Sequence, residues 1–486
     1  MRNNTTVSQT FLDLAAQAAL QHTKSLLCSQ GNRRIEFGDL PMLIANMANE
    51  IDQKRTNDKR TVLLYCGPSI DFVLALLASW YLGLRVAVVN PDAELGSPEN
   101  LIDRCDAGIL VTSEEKIEGT TCPVLHLNAA VSTSSNQDAP SPTSYVSGED
   151  EALIVFSSGS TGTAKGIIHT FSSVNALVCN TFKLYDDPID LFSVPLVGLG
   201  GLQMLSLCFK HGTELNWLPS ISAAAVIEAV EHYRPRKVLL FPALISALLA
   251  ARREKPSLLE SIERCHSGGD KLSPELAASF RAAVGVPIEH AYGMAEFGPI
   301  LRADVEDPNK FDLVSSSAAK IQLLGREGGS VPTGSTGELC VKSPSFMKCY
   351  LDPLDTFPVT EKAFFRTGDM FTKLNDGLLY VGRYDKNDTN DQLTKIQEEL
   401  DRVAEQTIQV SVVEEGSVLF IFTTRVLSGD PDLTDRLIET ATTYSHPKYE
   451  RIQHVGLPAL PLGPTGKINA FALQQLARDE LGGADQ

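Results

Sequence analysis

An eleven-residue run, Phe156-Ser-Ser-Gly-Ser-Thr-Gly-Thr-Ala-Lys-Gly166, constrains this chain more than any other stretch. After Phe156 it is built mainly from Gly, Ser and Thr, and it carries one lysine, next to its last residue. The apolar segment Ala152-Leu-Ile-Val-Phe156 leads into it and reads as a buried strand. A small-residue loop leaving such a strand exposes backbone N–H groups and hydroxyls, and these can cradle phosphate oxygens. Ser158, Gly159, Ser160, Thr161, Gly162 and Gly166 are the candidate cradle, and Lys165 adds a positive charge for the outer phosphates. The run is not the G-x-x-x-x-G-K-[ST] loop. Counted from Gly159, that pattern needs Gly and Ser or Thr where the chain has Ala164 and Gly166. A flexible linker of the same composition needs neither a preceding buried strand nor a terminal lysine.

With 486 residues the chain can bury a large core and form two or three domains. A formal net charge of −18 argues against nucleic acid as a main partner, because phosphate backbones call for basic patches. It also disfavours an anionic membrane surface. Nine cysteines include no C-x-x-C pair and number odd, which fits reduced, mostly buried thiols in a cytoplasmic setting. The first residues lack an apolar run of the secretory kind. Phe72 to Val89 is the most apolar long stretch, but Gly83 and Arg85 interrupt it, so a helix followed by a strand is expected rather than a membrane span.

Between residues 10 and 112 helical and strand-like stretches alternate. Helices are expected around a strand at Arg34 to Phe37, then a strand at Thr61 to Tyr65. A helix at Asp71 to Leu82 leads to a strand at Arg85 to Val89, and a helix at 101–104 to a strand at Gly108 to Thr112. This order predicts parallel α/β units. Val131 to Asp150 reads as a surface loop. Phe192 to Gly201 combines apolar residues with a turn glycine; Val197 and Gly198 either line a pocket or open a core helix. Arg236 to Pro242 reads as a buried strand. After it, Gly268 and Gly269 permit close backbone approach to a ligand, with Asp270 beside them. Four further stretches carry polar groups at turns: Glu289-His-Ala-Tyr-Gly-Met-Ala-Glu296, Thr367-Gly-Asp369, Gly382-Arg383 and Leu462-Gly-Pro-Thr-Gly-Lys467. Each alone is an ordinary turn; together, in this order after the phosphate-type loop, they form a pattern.

That pattern resembles the adenylate-forming superfamily of acyl-CoA synthetases, peptide-synthetase adenylation domains and luciferases, over roughly Ile35 to Ala470. The resemblance implies an α/β fold with mixed sheets and helices in a large N-terminal domain, residues 1–383. A small mobile α+β domain, residues 384–486, would follow a hinge at Asp385. It implies ATP- and Mg²⁺-dependent activation of a small carboxylic acid to an acyl-adenylate with release of pyrophosphate, then transfer to a thiol, most simply CoA. In that scheme Tyr292, next to Gly293, stacks on adenine, Glu296 holds Mg²⁺, Asp369 accepts from the ribose hydroxyls and Arg383 donates nearby. Gly268, Gly269 and Asp270 lie under the acyl and adenosine groups, and Val197 and Gly198 belong to the acid pocket. Lys467 reaches the carboxylate and the bridging oxygen. The chain departs from the family pattern at four places. Ala164 stands for a usual Pro, Val197 for an aromatic or His, and Ala295 for a usual Thr. No glycine occurs between Asp385 and Asp391, in a loop that serves the thioester step. The last departure keeps open a carrier protein or an amine as acceptor, and Ala295 with the same loop keeps open a non-catalytic nucleotide-binding relative.

Overall fold

The structure is a computed structural model. It describes residues 8–483 apart from 31–32, 57, 94, 118, 128–145, 158–163, 219, 314–317, 326–327, 353–363, 384–395, 398, 401–402, 405–409, 425–430, 446–448, 458–459 and 462–467. The expected surface loop at 131–150 and most of the helix expected from Gln392 therefore lie largely outside the described residues.

The α/β expectation holds. A seven-stranded sheet runs in the order Cys349–Tyr350, Lys165–Thr170, Glu151–Ser157, Arg85–Val89, Thr61–Tyr65, Ala107–Thr112, Val124–His126. Its last five strands are mutually parallel, and the first three pair antiparallel. Thr61–Tyr65 and Ala107–Thr112 are apolar runs buried almost end to end, as strands covered on both faces should be. The stretch from Phe72 to Val89 is the expected helix, Ile70–Tyr81, and then the strand Arg85–Val89. Ser69 caps that helix by accepting the Phe72 N–H at 3.1 Å. Among the described residues no helix is long and apolar enough to cross a membrane.

A ten-stranded sheet follows, from Lys320–Leu324 at one edge to Leu191–Phe192 at the other. Its parallel end holds Leu191–Phe192, Lys237–Leu240, Arg264–Gly268 and Ile288–Met294; the remaining pairings are antiparallel. Two stretches that read as bare turns are strands here. Tyr292 and Gly293 end the strand Ile288–Met294, and Thr367 to Asp369 sit within the strand Phe365–Lys373. The latter alternates, burying Phe365, Thr367, Asp369 and Phe371. The period of two thus turns a carboxylate toward the core face. The short polar motif hides this because its Gly reads as a turn, whereas Gly368 adopts a φ of +77° inside a strand.

Beyond residue 396 a three-stranded sheet, Val410–Glu415, Val418–Thr424 and Arg451–Leu457, carries its own cores. Leu419 and Ile421 join Leu437 and Ala441 of the helix Pro431–Ser445; Phe420 and Phe422 join Leu473 and Ala477 of the helix Ala470–Gly483. Strand alternation sends the two sets to opposite faces.

Candidate active site

The strands Glu151–Ser157 and Lys165–Thr170 form a hairpin in which Ser157 pairs with Lys165 and Phe156 with Gly166. Ser158, Gly159, Ser160, Thr161 and Gly162 at its tip lie outside the described residues. The hairpin's base is anchored. Trp80 Nε1 donates to the Ala152 carbonyl at 3.0 Å, and Arg104 donates to the Ala164 carbonyl at 2.9 Å. The Arg104 guanidinium also lies 5.3 Å from the Phe156 ring centroid, within cation–π range. Gly166 has a steric reason of its own: a Cβ there would come within 2.7 Å of Leu351.

Residues 347–351 clasp this hairpin to the Glu296 turn through three backbone bonds of 2.7 Å. The N–H groups of Met347, Lys348 and Leu351 donate to the carbonyls of Glu296, Ile168 and Gly166. Tyr350 completes the clasp. Its hydroxyl donates to Glu296 Oε1 at 2.9 Å, and its ring centroid lies 4.9 Å from Lys165 Nζ. Lys165 and Glu296, far apart in sequence, therefore share one tyrosine. Glu296 is only 7% exposed. Next to it, the Ala295 carbonyl accepts from His169 Nε2 at 2.9 Å. A carbonyl only accepts, so this nitrogen carries the proton. Burial pushes the His169 pKa down to about 4, which keeps the ring neutral.

A second cluster forms on the ten-stranded sheet. The Tyr292 hydroxyl donates to Asp369 Oδ2 at 2.6 Å. Its ring meets Phe311 and Phe371 edge-on, with centroids 6.1 and 5.4 Å away. Burial, reinforced by the Asp369 charge, raises the Tyr292 pKa well above its ordinary value, so the hydroxyl stays a donor. Asp369 faces Arg383 across the strand pair, with Arg383 Nε 3.7 Å from Oδ1. Most of the Arg383 side chain is solvent-exposed, so this pair is weak. Thr367 Oγ1 accepts the Asp369 N–H at 3.0 Å and donates to the Leu339 carbonyl at 2.8 Å. Glu338, which also binds Arg366, accepts the Gly368 N–H at 3.0 Å.

Gly268 pairs with Ala291, one residue from Tyr292. Gly269 has a φ of +81°, and a Cβ there would meet the Phe241 ring at 2.8 Å. Asp270 is exposed and accepts from the Lys271 N–H. On the same pair of strands, Ser267 Oγ and His290 Nδ1 are buried without a hydrogen-bond partner among the described residues, and burial, partly offset by a backbone hydrogen bond to Ser267, lowers the His290 pKa to about 4. Gly293 runs against Gly298 so closely that a Cβ would stand 2.4 Å from its carbonyl oxygen. Val197 and Gly198 immediately precede the helix Leu199–His211, and Val197 is half-buried against the main core. The helix start expected in that segment is present. Gly201 permits it, because a Cβ there would be 2.0 Å from the Leu196 carbonyl. Asp385, the loop 386–391 and Lys467 lie outside the described residues.

Sequence reading did not find Tyr350, His169, Arg104 or Glu338. None stands in a motif of spaced polar residues, and each acts through a partner distant in sequence. Among the described residues no group of three or more His, Cys, Asp and Glu side chains could cage a metal. A lone buried carboxylate instead suits Mg²⁺, which takes one or two protein carboxylates and completes its shell with substrate phosphates and water. The residues present therefore fit a phosphate-borne Mg²⁺ at Glu296.

Comparison with known proteins bears on the family of the chain and on its fold. Curated relatives include 4-coumarate--CoA ligase-like 9 of Arabidopsis thaliana, 24% identical over 93% of this chain and 87% of that protein. Feruloyl-CoA synthase of an Amycolatopsis species is 29% identical over 72% of this chain and 74% of that protein. Among solved structures, the amide bond synthetase McbA from Marinactinospora thermotolerans superposes with a TM-score of 0.71 at 20% identity, covering 96% of this chain and 99% of that one. The family model for the AMP-binding enzyme matches residues 14–351, more than half of the sequence, and the chain belongs to that family.

Proposed function

We propose that this enzyme activates a small carboxylic acid with ATP and passes the acyl group to CoA. The acid's carboxylate attacks the α-phosphorus of ATP, the bond to the bridging oxygen breaks, and pyrophosphate leaves with that electron pair. The thiol then attacks the acyl carbon and AMP departs. The observation that carries the reading is the buried Glu296 carboxylate held by Tyr350 beside Lys165, at the base of the Gly/Ser/Thr hairpin. Lys165 would offset phosphate charge, and Glu296 would hold Mg²⁺, whose charge screens the triphosphate from the incoming anion. The Tyr292–Asp369 pair would receive the ribose, with Asp369 as acceptor and Arg383 as a nearby donor. Ser267 Oγ and His290 Nδ1, without a partner among the described residues, support a polar ligand beside Tyr292, because an unpaired buried group costs about 1–3 kcal/mol until it is satisfied.

We assign the reaction to two parts, 1–383 and 384–486, with Asp385 as hinge and Lys467 as the residue that aligns the carboxylate. The separate sheet and cores beyond residue 396 support this division. The names of the CoA-ligase relatives favour CoA as the acceptor. The amide bond synthetase neighbour keeps an amine acceptor as the second reading. The absence of a glycine between 385 and 391 points the same way. A cytoplasmic location belongs to this proposal too, resting on nine cysteines without a disulfide.

The test is pyrophosphate release across a panel of acids, beginning with coumaric and ferulic acids because two relatives are named for them. Acid-dependent release with CoA thioester formation is the expected result. Release without thioester, but with amide when an amine is supplied, favours the second reading. No release with any acid sinks adenylation and leaves a nucleotide-binding relative.

A further inference from the structure

We infer that His169 and Ser345 are positioning residues that hold the turn carrying the Glu296 carboxylate. This rests on the proposed reading of Glu296 as the Mg²⁺ ligand. The turn runs through Ala295, Glu296 and Phe297, between the strands Ile288–Met294 and Gly298–Ala303. A turn leaves the sheet ladder, so its carbonyls need partners elsewhere. Each one has such a partner. The Ala295 carbonyl accepts from His169 Nε2 at 2.9 Å, the Glu296 carbonyl from the Met347 N–H at 2.7 Å, and the Phe297 carbonyl from the Ser345 hydroxyl at 2.6 Å. The Met294 carbonyl accepts the Phe297 N–H at 3.2 Å and closes the turn on itself. The carboxylate thus stands on a backbone tied at consecutive carbonyls to two segments remote in sequence.

The two side-chain donors are themselves fixed in direction. Both residues are almost fully buried. The Phe297 carbonyl can only accept, so it takes the one hydroxyl proton of Ser345. Ser345 Oγ then accepts from its other neighbours, the Ser343 hydroxyl at 2.8 Å and Asn180 Nδ2 at 3.4 Å. On the hairpin side, His169 Nε2 spends its proton on Ala295, which leaves Nδ1 of the neutral ring as an acceptor. Nδ1 faces the Ser173 hydroxyl at 3.3 Å. Ser173 belongs to the reciprocal cap of the helix Phe171–Leu184: its N–H donates to Thr170 Oγ1 at 3.2 Å, and its Oγ accepts the Thr170 N–H at 3.0 Å. The ring is thereby seated on a helix start, and the Ser345 hydroxyl is braced by Asn180 and Ser343. Support of this kind behind a metal ligand sets its aim, and its loss typically costs about tenfold or more in metal affinity.

Calorimetric titration with ATP in excess Mg²⁺, and again with ATP in EDTA, separates metal-borne from metal-independent binding without any acid. His169→Phe keeps a ring and removes the donor; His169→Gln places an amide N–H where Nε2 stood. Ser345→Ala removes the hydroxyl. His169→Phe and Ser345→Ala should each weaken Mg²⁺-ATP binding about tenfold and leave metal-free ATP binding within about twofold. His169→Gln, with its donor restored, should return to within about threefold of wild type. In a Glu296→Gln background neither substitution should cause further loss of Mg²⁺-ATP binding, because both act through that carboxylate. Equal weakening of both ligands, a His169→Gln protein no better than His169→Phe, or additivity with Glu296→Gln overturns the inference. A lowered melting temperature with wild-type Mg²⁺-ATP binding overturns it too, since that is the mark of a structural role alone. Should His169→Phe fail to fold, Ser345→Ala, the smaller change, must show the selective loss by itself, and a wild-type response there overturns the inference. If Glu296→Gln binds Mg²⁺-ATP as wild type does, the metal reading falls and this inference with it. If Glu296→Gln is impaired while His169→Phe and Ser345→Ala bind normally, the inference alone falls.

Discussion

The two clusters of the candidate site are built by different means. Lys165, on the seven-stranded sheet, and Glu296, in the turn between Ile288–Met294 and Gly298–Ala303 of the ten-stranded sheet, are brought together by main-chain bonds: three N–H groups of residues 347–351 tie hairpin and turn, and a single tyrosine touches both side chains. On the ten-stranded sheet, Tyr292, Asp369 and Arg383 meet through their own side chains, on strands whose alternation and pairing already face them inward. In the first cluster Tyr350 touches both charged groups, Glu296 through its hydroxyl and Lys165 through its ring. The second is closed on itself, with the Tyr292 hydroxyl on the very carboxylate that a ribose would seek. A nucleoside arriving at the second cluster would have to compete with or rearrange that existing bond. Substitutions in the first cluster should cost rate and metal dependence, and those in the second should cost nucleotide affinity.

The largest effect is expected at Glu296. Glu296→Gln preserves the hydrogen bond from Tyr350 but removes the negative charge. Pyrophosphate release should fall about a hundredfold at limiting Mg²⁺, equivalent to about 3 kcal/mol of lost electrostatic stabilisation. The melting temperature should stay near wild type. Unchanged activity at saturating ATP and limiting Mg²⁺ would place the metal elsewhere and dissolve the contrast between the clusters.

Gly166→Ala attacks the same cluster through its scaffold. The new methyl would press on Leu351 at 2.7 Å, and Leu351 donates to the Gly166 carbonyl. Overpacking of this kind costs about 1–3 kcal/mol. Urea denaturation should register that loss, and Mg²⁺ dependence should shift with it if the clasp sets the Lys165–Glu296 geometry. A stability loss with wild-type Mg²⁺ dependence would show that the clasp holds the fold and not the charges.

Asp369→Ala addresses the second cluster. It removes the acceptor of the Tyr292 hydroxyl and of the proposed ribose contacts. Apparent KM for ATP should rise about tenfold, with kcat much less affected, as expected for a lost binding interaction. A larger fall in kcat than in affinity would mean that this cluster also aligns the reacting groups. An ATP dependence equal to wild type would reduce Thr367 to Asp369 to a structural strand.

How far the sequence discloses each cluster follows from the same difference. Tyr292, Asp369 and Arg383 were legible because each sits in a short run of Gly and polar residues, and their order along the chain gave the family resemblance. Lys165 and Glu296 were legible for the same reason. Their connection was not: Tyr350 lies in Met347-Lys-Cys-Tyr350, with no polar spacing to mark it, and its role exists only after an antiparallel pairing sets it beside Ile167. His169 was hidden likewise, since a histidine within Ile167-Ile-His-Thr170 looks like any core residue until its ring reaches the Ala295 carbonyl. The parallel strands announced themselves through continuous apolar runs. The strand containing Asp369 did not, because its polar residues point inward and its glycine reads as a turn.

The smallest effect is expected at Ala295, between the two clusters in sequence. Its carbonyl is fixed by His169 Nε2, and its methyl packs, partly buried, against the main core. The family pattern has a threonine hydroxyl here that contacts the α-phosphate. Ala295→Thr adds that hydroxyl while leaving the backbone bond to His169 in place. The adenylation rate should rise, by no more than about tenfold, the worth of one hydrogen bond to a charged oxygen. The gain belongs to the rate of pyrophosphate release and not to ATP affinity if the hydroxyl acts where charge builds during attack. A gain confined to ATP affinity would move Ala295 into the nucleoside cluster's mode of action. A fall in rate with a lowered melting temperature would mean that the threonine methyl cannot enter the core that the alanine now fills. His169→Gln, which offers an amide donor to the same carbonyl, then separates the two causes. If the backbone at Ala295 is the element that matters, its rate should follow how well that hydrogen bond is kept, whatever side chain stands at 295.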